Sequence, residues 1–184
     1  MKTQLVKDMM VPISDYATVS KDATLFEAMK ALESEKRQFD NGVYRHNSLV
    51  VIDESRHVVG RVSQVDLMRA LEPKYGEVGD LGKTGKMYLS SKMLVAIREE
   101  LALWEQPLKD LCRTVAKVRV ADFMQVPSEG EFVNETDTMD VALHRIVMGQ
   151  HHSLLVTRER EIIGILRSTD VFNGLCKMID ECVL

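Results

Sequence analysis

The chain of 184 residues is 45% hydrophobic and 28% charged, with a formal net charge of -4 at pH 7, and these values are ordinary for a soluble globular protein. The negative charge argues against a broad basic surface for nucleic acid or an anionic membrane, and no apolar run approaches the ~20 residues of a membrane-spanning helix. The N-terminus also lacks the apolar core of a signal peptide, and the three cysteines are odd in number without metal-binding spacing, so we expect a cytoplasmic protein with no nucleic-acid or membrane partner.

The first part of the chain predicts a helical lead-in followed by a strand, a helix, two strands and a second helix. A capping box from Thr24 to Glu27 begins the first helix. The short turn between the two apolar strands predicts that they pair in antiparallel fashion, and Pro73 ends the last helix. In order, the predicted segments are 5–10, 16–20, 25–32, 49–52, 57–62 and 64–71.

The same order of elements recurs after residue 118. Equivalent residues are 114 positions apart up to the first helix, 105 apart in the second strand and 104 apart from the third strand onward. The matched pairs include Val6 with Val120, Thr24 with Thr138, Ser48 with Ser153, Gly60 with Gly164 and Asp66 with Asp170. The first repeat therefore carries extra residues, which we assign to the polar segment 35–47. An internal repeat of this size predicts two copies that pack on each other, over 1–74 and 119–184.

A linker of residues 75–118 separates the repeats. It begins with a glycine-rich stretch, 75–87, which we expect to be mobile. Apolar residues then follow at alternating spacings of three and four, with an interruption at Pro107. These residues are Leu94, Ile97, Leu101, Trp104, Leu108, Leu111 and Val115. The pattern predicts one or two helices that pack either on the repeats of the same chain or on a second subunit.

A glycine followed six residues later by an acid occurs where a strand meets a helix in each repeat, at Gly60 and Asp66 and again at Gly164 and Asp170. Such a junction places free backbone amides and a carboxylate at one small site. Amides can bind a phosphate or a base edge, and the carboxylate can accept hydrogen bonds from a ribose hydroxyl pair. Alternatively, these acids and the nearby Ser63 only cap their helices, with no ligand required.

These residues resemble the motif of a tandem pair of CBS domains, the arrangement called a Bateman module. The family pattern is a glycine, two apolar positions, Ser or Thr, two variable positions and Asp, and the first repeat matches it with Gly60, Ser63 and Asp66. The resemblance covers about 5–72 and 119–180. It implies an α/β (α+β) fold of two β-α-β-β-α repeats packed about a pseudo-twofold axis, with an inserted helical linker.

The resemblance also implies two clefts between the repeats. In this family such clefts commonly bind adenosine compounds, namely AMP, ADP, ATP or S-adenosylmethionine, and sometimes NADH or cyclic dinucleotides. The motif Asp binds the ribose hydroxyls and the Ser or Thr lies near the phosphates. On that basis Ser63 and Asp66 serve one cleft, and Asp170 serves the other.

The second repeat departs from the family pattern because Arg167 stands where Ser or Thr is expected. The arginine either clamps a phosphate or fills the cleft and abolishes binding. His152 falls where some family members place a basic phosphate contact, and Asn47 is its counterpart in the first repeat. Thr18 and Phe132, at the start of the first strand of each repeat, would flank the base. One intact and one altered motif predict two unequal sites, or a single occupied one.

Two functional hypotheses follow, and neither is catalytic because no catalytic constellation stands out in the sequence. The first is a regulatory module, a homodimer that binds an adenosine-type ligand and reports it to an unknown effector protein through the linker. The second is a ligand-free scaffold for dimerisation or partner binding, whose clefts are filled by Arg167 and the 35–47 insertion.

Overall fold

The computed structural model describes residues 3–38, 48–76 and 90–182. Its strands are β1 (Val11–Pro12), β2 (Thr18–Ser20), β3 (Ser48–Ile52), β4 (Val58–Ser63), β5 (Phe132–Asn134), β6 (Ser153–Arg158) and β7 (Glu161–Arg167). Its helices are α1 (Leu25–Gln38), α2 (Gln64–Leu71), α3 (Ser91–Glu100), α4 (Leu108–Lys117), α5 (Met139–Gly149) and α6 (Ser168–Cys182). The predicted β-α-β-β-α order is confirmed in both repeats. Asn47, most of the 35–47 insertion and most of the 75–87 stretch lie outside the described residues.

Local signals begin helices α1 and α4 where the sequence predicts. In the capping box of α1, the Thr24 backbone N–H donates to Glu27 Oε2 at 2.7 Å, and the Glu27 N–H donates to Thr24 Oγ1 at 3.2 Å. Pro107 immediately precedes α4, where its missing N–H costs the helix no hydrogen bond. These short-range interactions explain why the predicted and observed helix starts agree.

Each repeat forms one small sheet of its own. In the first sheet, β2 runs parallel to β3 and β3 antiparallel to β4. In the second, β5 runs parallel to β6 and β6 antiparallel to β7. The register shifts at equivalent places, between Val51 and Ile52 and between Val156 and Thr157. The repeat seen in the sequence is therefore a repeat of strand register as well.

Each lead-in segment pairs with the sheet of the other repeat. Val11 in β1 lies opposite Ile165 in β7, so the N-terminal segment adds a fourth strand to the second sheet. In the equivalent exchange, Gln125 forms a β-bridge with Arg61 in β4, with backbone N–H···O distances of 2.9 and 3.0 Å in the two directions. The sequence places the lead-ins beside their own repeats along the chain, and it contains no signal of this crossing.

Apolar packing follows the same crossing. Val6 is fully buried in the core of the second repeat, and Val120 is fully buried in the core of the first. A third apolar cluster lies between the two sheets and contains residues from both repeats. Its buried members are Tyr16, Val50, Leu155 and Ile165. The two repeats therefore share their cores, as expected for units too small to bury enough surface alone.

The two linker helices pack differently. Val115 and Val118, in and just after α4, contact the core of the first repeat, and α4 lies against α1 and α2. Neither helix has a fully buried residue, but every residue of α3 except Ile97 is exposed, and the Leu94 side chain is half exposed. The predicted apolar seam is therefore divided: intramolecular packing is confirmed for α4, while the dimer alternative for α3 stays a prediction.

A buried carboxylate holds the turn between α3 and α4 against the end of α2. Glu72 is only 1% exposed, and its Oε2 accepts a hydrogen bond from the Trp104 backbone N–H at 2.8 Å. The Lys74 ammonium donates to the carbonyls of Leu101 and Ala102 at 2.9 and 3.1 Å. Positive φ values at Ala102 and Trp104 break the helical path there. These contacts attach the α3–α4 turn to the C-terminal end of α2.

Among residues 3–38, 48–76 and 90–182, no helix is long and apolar enough to span a membrane. Over the same part of the chain, no group of three or more His, Cys, Asp and Glu side chains is arranged to hold a metal ion.

Candidate functional site

The first motif forms a complete capping box at the start of α2. The Ser63 hydroxyl accepts from the Asp66 backbone N–H at 3.2 Å and donates to Asp66 Oδ2 at 2.6 Å. The Ser63 backbone N–H donates to the same oxygen at 2.8 Å. Asp66 is only 4% exposed, so these charge-assisted hydrogen bonds compensate for the burial of its charge. Ser63 and Asp66 therefore cap α2, as one of the two interpretations predicts, and their binding of a ligand stays a prediction.

The other Asp66 oxygen is bound by a residue from the lead-in of the second repeat. Gln125 donates from its side-chain amide to Asp66 Oδ1 at 2.8 Å. Gln125 reaches this position because its backbone is bridged to Arg61 on the neighbouring strand. Both carboxylate oxygens of Asp66 are therefore engaged, one from within the motif and one from across the repeats.

The second motif satisfies its carboxylate by a different route. Arg167 donates from Nε to Asp170 Oδ2 at 2.7 Å and from Nη2 to Asp170 Oδ1 at 2.5 Å. The Arg167 backbone N–H adds a capping bond to Oδ2 at 3.1 Å. The side chains are 19% and 13% exposed, which makes this a mostly buried, bidentate ion pair. Arg167 thus covers the acid of its own motif.

The two motifs provide hydrogen-bond donors for their carboxylates from different residues. The position equivalent to Ser63 is Arg167, and the position equivalent to Gln125 is Val11. Val11 has no side-chain donor, so the second repeat lacks an equivalent of the Gln125 amide. The Arg167 guanidinium donates to both carboxylate oxygens of Asp170. In the first repeat two residues share this role, because Ser63 donates to one oxygen of Asp66 and Gln125 donates to the other.

Tyr16 lies beside the Arg167–Asp170 pair, although it belongs to the first repeat. Its side chain is buried in the cluster between the sheets. Burial raises the pKa of the Tyr16 phenol well above its ordinary value; the positive charge of Arg167 partly opposes this shift and the negative charge of Asp170 adds to it. Tyr16, which lies just before β2 in the first repeat, therefore interacts electrostatically with the second motif, and the surroundings of that motif include residues of both repeats.

A residue close to the first motif in the chain likewise contacts the second repeat. Arg61, in β4, extends across the interface and donates from Nη1 to Ser153 Oγ at 3.1 Å. Its Nη2 lies 3.2 Å from Glu131 Oε2 in a partly buried ion pair. Arg61 also pairs through its backbone with Gln125, so it contacts the second repeat through both its backbone and its side chain.

Comparison with known proteins identifies the family. The CBS domain family matches residues 6–73 and 120–177, which together span about two thirds of the chain. The chain belongs to the CBS domain family. Its two matched segments make it a tandem CBS pair, so the resemblance seen in the sequence is confirmed. A search of curated proteins found no significant match.

Solved CBS structures share this fold at low sequence identity. The CBS-pair protein CBSX2 from Arabidopsis thaliana is 18% identical, with 96% of this chain and 97% of that chain covered and a TM-score of 0.60. A structure of CBSX2 in complex with AMP is 20% identical, with 95% and 98% covered and a TM-score of 0.58. The CBS domain of a bacterial CNNM/CorC family Mg2+ transporter in complex with ATP is 17% identical, with 95% and 89% covered and a TM-score of 0.59.

Within this CBS pair, the site residues proposed from the sequence differ in their exposure and in their contacts. Thr18 is exposed in β2, and Phe132 is partly buried against the cluster between the sheets. His152 is exposed just before β6, and its carbonyl accepts from the Ser168 N–H at 2.9 Å. Asn47 lies outside the described residues. Of the predicted set, direct hydrogen bonds join Ser63 to Asp66 and Arg167 to Asp170.

Three residues around the CBS motifs were not identified from the sequence, namely Gln125, Arg61 and Tyr16. The offset of 114 aligns Gln125 with Val11, and the offset of 104 aligns Arg61 with Ile165. Polar residues thus replace apolar ones at two positions of the first motif's surroundings. That asymmetry between the repeats is the signal that could have revealed Gln125 and Arg61. Tyr16 has no such signal, because its equivalent is Gly130, which has no apolar side chain for a polar one to replace.

Proposed function

We propose that this CBS pair is a non-catalytic regulatory module that binds an adenosine-type nucleotide between its repeats. The observation that carries the proposal is the position of Asp66 and Asp170, two largely buried carboxylates at the first turns of equivalent helices where the repeats meet. Family membership supports it, as do the similar CBS structures that hold AMP and ATP.

The chemistry of these acids suits a ribose. A carboxylate only accepts hydrogen bonds, and two adjacent hydroxyls can donate to its two oxygens. The donors that now bind Asp66 and Asp170 would then be exchanged for ligand hydroxyls. The helix N-termini next to these acids favour negative charge. Thr18, Phe132, His152 and Asn47 keep their proposed roles as base and phosphate contacts.

Regulation by this module would follow from a shift in the arrangement of the repeats. A ligand that binds better to one arrangement increases its population. The Glu72 contact gives α2 a direct connection to the α3–α4 turn, so movement at Ser63 can be transmitted to the linker. We further propose a cytoplasmic homodimer with an effector protein as partner, organised as repeats over 1–74 and 119–184 with a linker over 75–118. Exposed apolar side chains on Phe26, Met68 and Phe172 support self-association.

Thermal melting with AMP, ADP, ATP, S-adenosylmethionine, NADH and cyclic dinucleotides tests the proposal. A ligand that binds only the native state at 100 times its dissociation constant adds about 2.7 kcal/mol of stability. We expect at least one compound to raise the melting temperature, and Asp66→Ala or Asp170→Ala to abolish that increase. The two variants are compared with each other as well as with the parent, so that the responding cleft is assigned.

The alternative is a ligand-free scaffold, and one observation favours it. Both motif carboxylates are already occupied by protein donors, Gln125 at Asp66 and Arg167 at Asp170. If no compound in the panel raises the melting temperature while sedimentation shows a stable dimer, the nucleotide proposal is rejected and the scaffold is supported.

A further inference from the structure

The Gln125 side chain donates to Asp66 in the way that a ligand hydroxyl would. Its amide nitrogen lies 2.8 Å from Asp66 Oδ1, and a hydroxyl is likewise a neutral donor to a carboxylate oxygen. The other oxygen, Oδ2, already accepts hydrogen bonds from the Ser63 backbone N–H and from the Ser63 hydroxyl. A ligand that took Oδ2 would break the cap of α2, which stabilises that helix. Oδ1 is therefore the oxygen at which an exchange of donors costs the fold least.

Gln125 can release this oxygen without leaving its place in the fold. Its backbone is joined to Arg61 by hydrogen bonds of 2.9 and 3.0 Å, and neither of them involves the side chain. Gln125 is an exposed residue, whereas Asp66 is only 4% exposed. A released amide can turn toward water, which replaces its lost hydrogen bond, but a buried carboxylate that loses a donor needs another one. The exchange therefore requires the rotation of one side chain and a ligand that brings a donor.

The second repeat has no equivalent of this amide. Val11 holds the position that corresponds to Gln125, and its side chain has no hydrogen-bond donor. Val11 packs against the apolar cluster between the two sheets instead. Of the two motifs, only the first has an acid that is covered by an amide from the lead-in of the other repeat.

We infer that Gln125 is an internal competitor for the Asp66 cleft: it covers Asp66 in the absence of ligand and is released when a ribose hydroxyl takes Oδ1. This inference rests on the proposed nucleotide function and adds to it the residue that sets the affinity of one cleft. It also connects binding to the assembly of the repeats, because the contact that the ligand replaces joins one repeat to the other. Gln125 thereby stabilises the ligand-free protein and lowers its affinity for the ligand.

Calorimetric titration of the full chain with AMP tests the inference, and another compound of the panel replaces AMP if only that compound binds. The binding step that Asp66→Asn abolishes is assigned to the Asp66 cleft. Gln125→Ala should tighten that step by about tenfold, because the ligand no longer has to break a hydrogen bond to a charged group. The same variant should be less stable without ligand. A residue that only supports the fold would lower stability and affinity together, so opposite changes distinguish the two roles.

Val126→Ala is the matched control, because Val126 is the next residue of the same lead-in and is 70% exposed. It should leave both the AMP affinity and the stability nearly unchanged. If Gln125→Ala does not fold, Gln125→Asn replaces it. Asparagine keeps the amide but is shorter by one methylene, so its donor cannot reach Asp66 from the same backbone position, and the affinity for AMP should again increase.

Nuclear magnetic resonance of the wild-type chain gives a second measure that depends on no variant. The signal of the Gln125 side-chain amide, assigned through its own backbone, reports whether the amide is bound to a carboxylate or hydrated. Saturation with AMP should move this signal to the position of a hydrated amide. The signal of the Gln125 backbone N–H should change much less, because its bond to the Arg61 carbonyl is kept.

The results separate this inference from the function on which it rests. An Asp66 cleft that binds AMP equally or less tightly in Gln125→Ala, or a gain of the same size in Val126→Ala, would overturn the inference while nucleotide binding stands. Binding that Asp66→Asn leaves unchanged would overturn it too, since the ligand then does not use this cleft. Binding to Gln125→Ala but not to the wild type would support it. If no compound of the panel binds either chain, the proposed function fails, and the inference fails with it.

Discussion

Gln125 donates a hydrogen bond to the Asp66 carboxylate at 2.8 Å, although 59 positions separate the two residues in the chain. The contact joins the lead-in of the second repeat to the motif of the first. It satisfies the one oxygen of Asp66 that the Ser63 capping box leaves available. Both oxygens of the buried Asp66 carboxylate therefore have donors only when the two repeats pack together as in this structure.

Replacing Gln125 by alanine should destabilise the fold by about 1–3 kcal/mol, because a buried carboxylate oxygen loses its donor. Urea unfolding followed by circular dichroism measures the change. In an Asp66→Asn background, Gln125→Ala should cost less stability, because position 66 then carries no charge that needs the donor. An equal cost in both backgrounds would show that Gln125 acts through packing and not through Asp66.

Gly164 allows the N-terminal segment to pair closely with β7. A Cβ at this position would lie 2.6 Å from Met10 Sδ and 2.9 Å from the Val11 carbonyl oxygen. Since the Val11 carbonyl belongs to the paired backbone, Gly164→Ala should push β1 away and cost about 1–3 kcal/mol. Gly76→Ala is the matched control, because among the described residues no atom lies within 4 Å of a Cβ built there. Similar unfolding midpoints for the two variants would contradict the steric explanation.

Glu72→Gln should loosen the turn between α3 and α4. The carboxylate accepts from the Trp104 N–H at 2.8 Å and from Gln106 Nε2 at 3.4 Å, whereas a glutamine presents one acceptor and one amide donor. At least one donor then loses its partner, at a cost of about 1–2 kcal/mol. Hydrogen exchange should increase over 101–106. The exposed Glu105→Gln is the charge-matched control, and equal protection in both variants would exclude a role for Glu72 in holding the linker.

The stability of the protein should fall at high pH because of Tyr16. Burial raises the pKa of its phenol above the ordinary value of 10.0, so the folded state keeps the proton after the unfolded state has lost it. The contribution is fully present below pH 10 and is lost as the pH rises toward the folded pKa, with a slope of about 1.4 kcal/mol per pH unit.

Comparison of the wild type with Tyr16→Phe isolates this effect from other groups that titrate in the same range. Urea unfolding between pH 8 and 11.5 should show a steeper loss of stability for the wild type than for the phenylalanine variant. Parallel curves would mean that the Tyr16 phenol ionises in the folded state as readily as in the unfolded one.

Several features could be predicted from the sequence because they depend on residues close together in the chain. The observed bounds of α2, Gln64–Leu71, are the predicted ones, with Pro73 ending the helix. The turn before β4 predicted an antiparallel pair, which the structure contains. The internal repeat predicted two copies of one unit because matched offsets require no knowledge of their packing.

Other features were decided only by the tertiary structure. No local pattern indicates that Val11 pairs with Ile165 or that Gln125 pairs with Arg61, since an edge strand accepts any partner that reaches it in register. Arg167 was predicted either to clamp a phosphate or to fill the cleft, and its bidentate contact with Asp170, three residues further along the chain, was not predicted.

The sequence by itself thus determined the repeated β-α-β-β-α unit, the helix caps and the family of this protein, because hydrophobic periodicity and capping are local properties of the chain. The tertiary structure decided that the Gln125 side chain covers the second oxygen of Asp66. A long polar side chain has many conformers of similar energy, and the choice among them depends on charges and backbone groups that folding brings from distant parts of the chain.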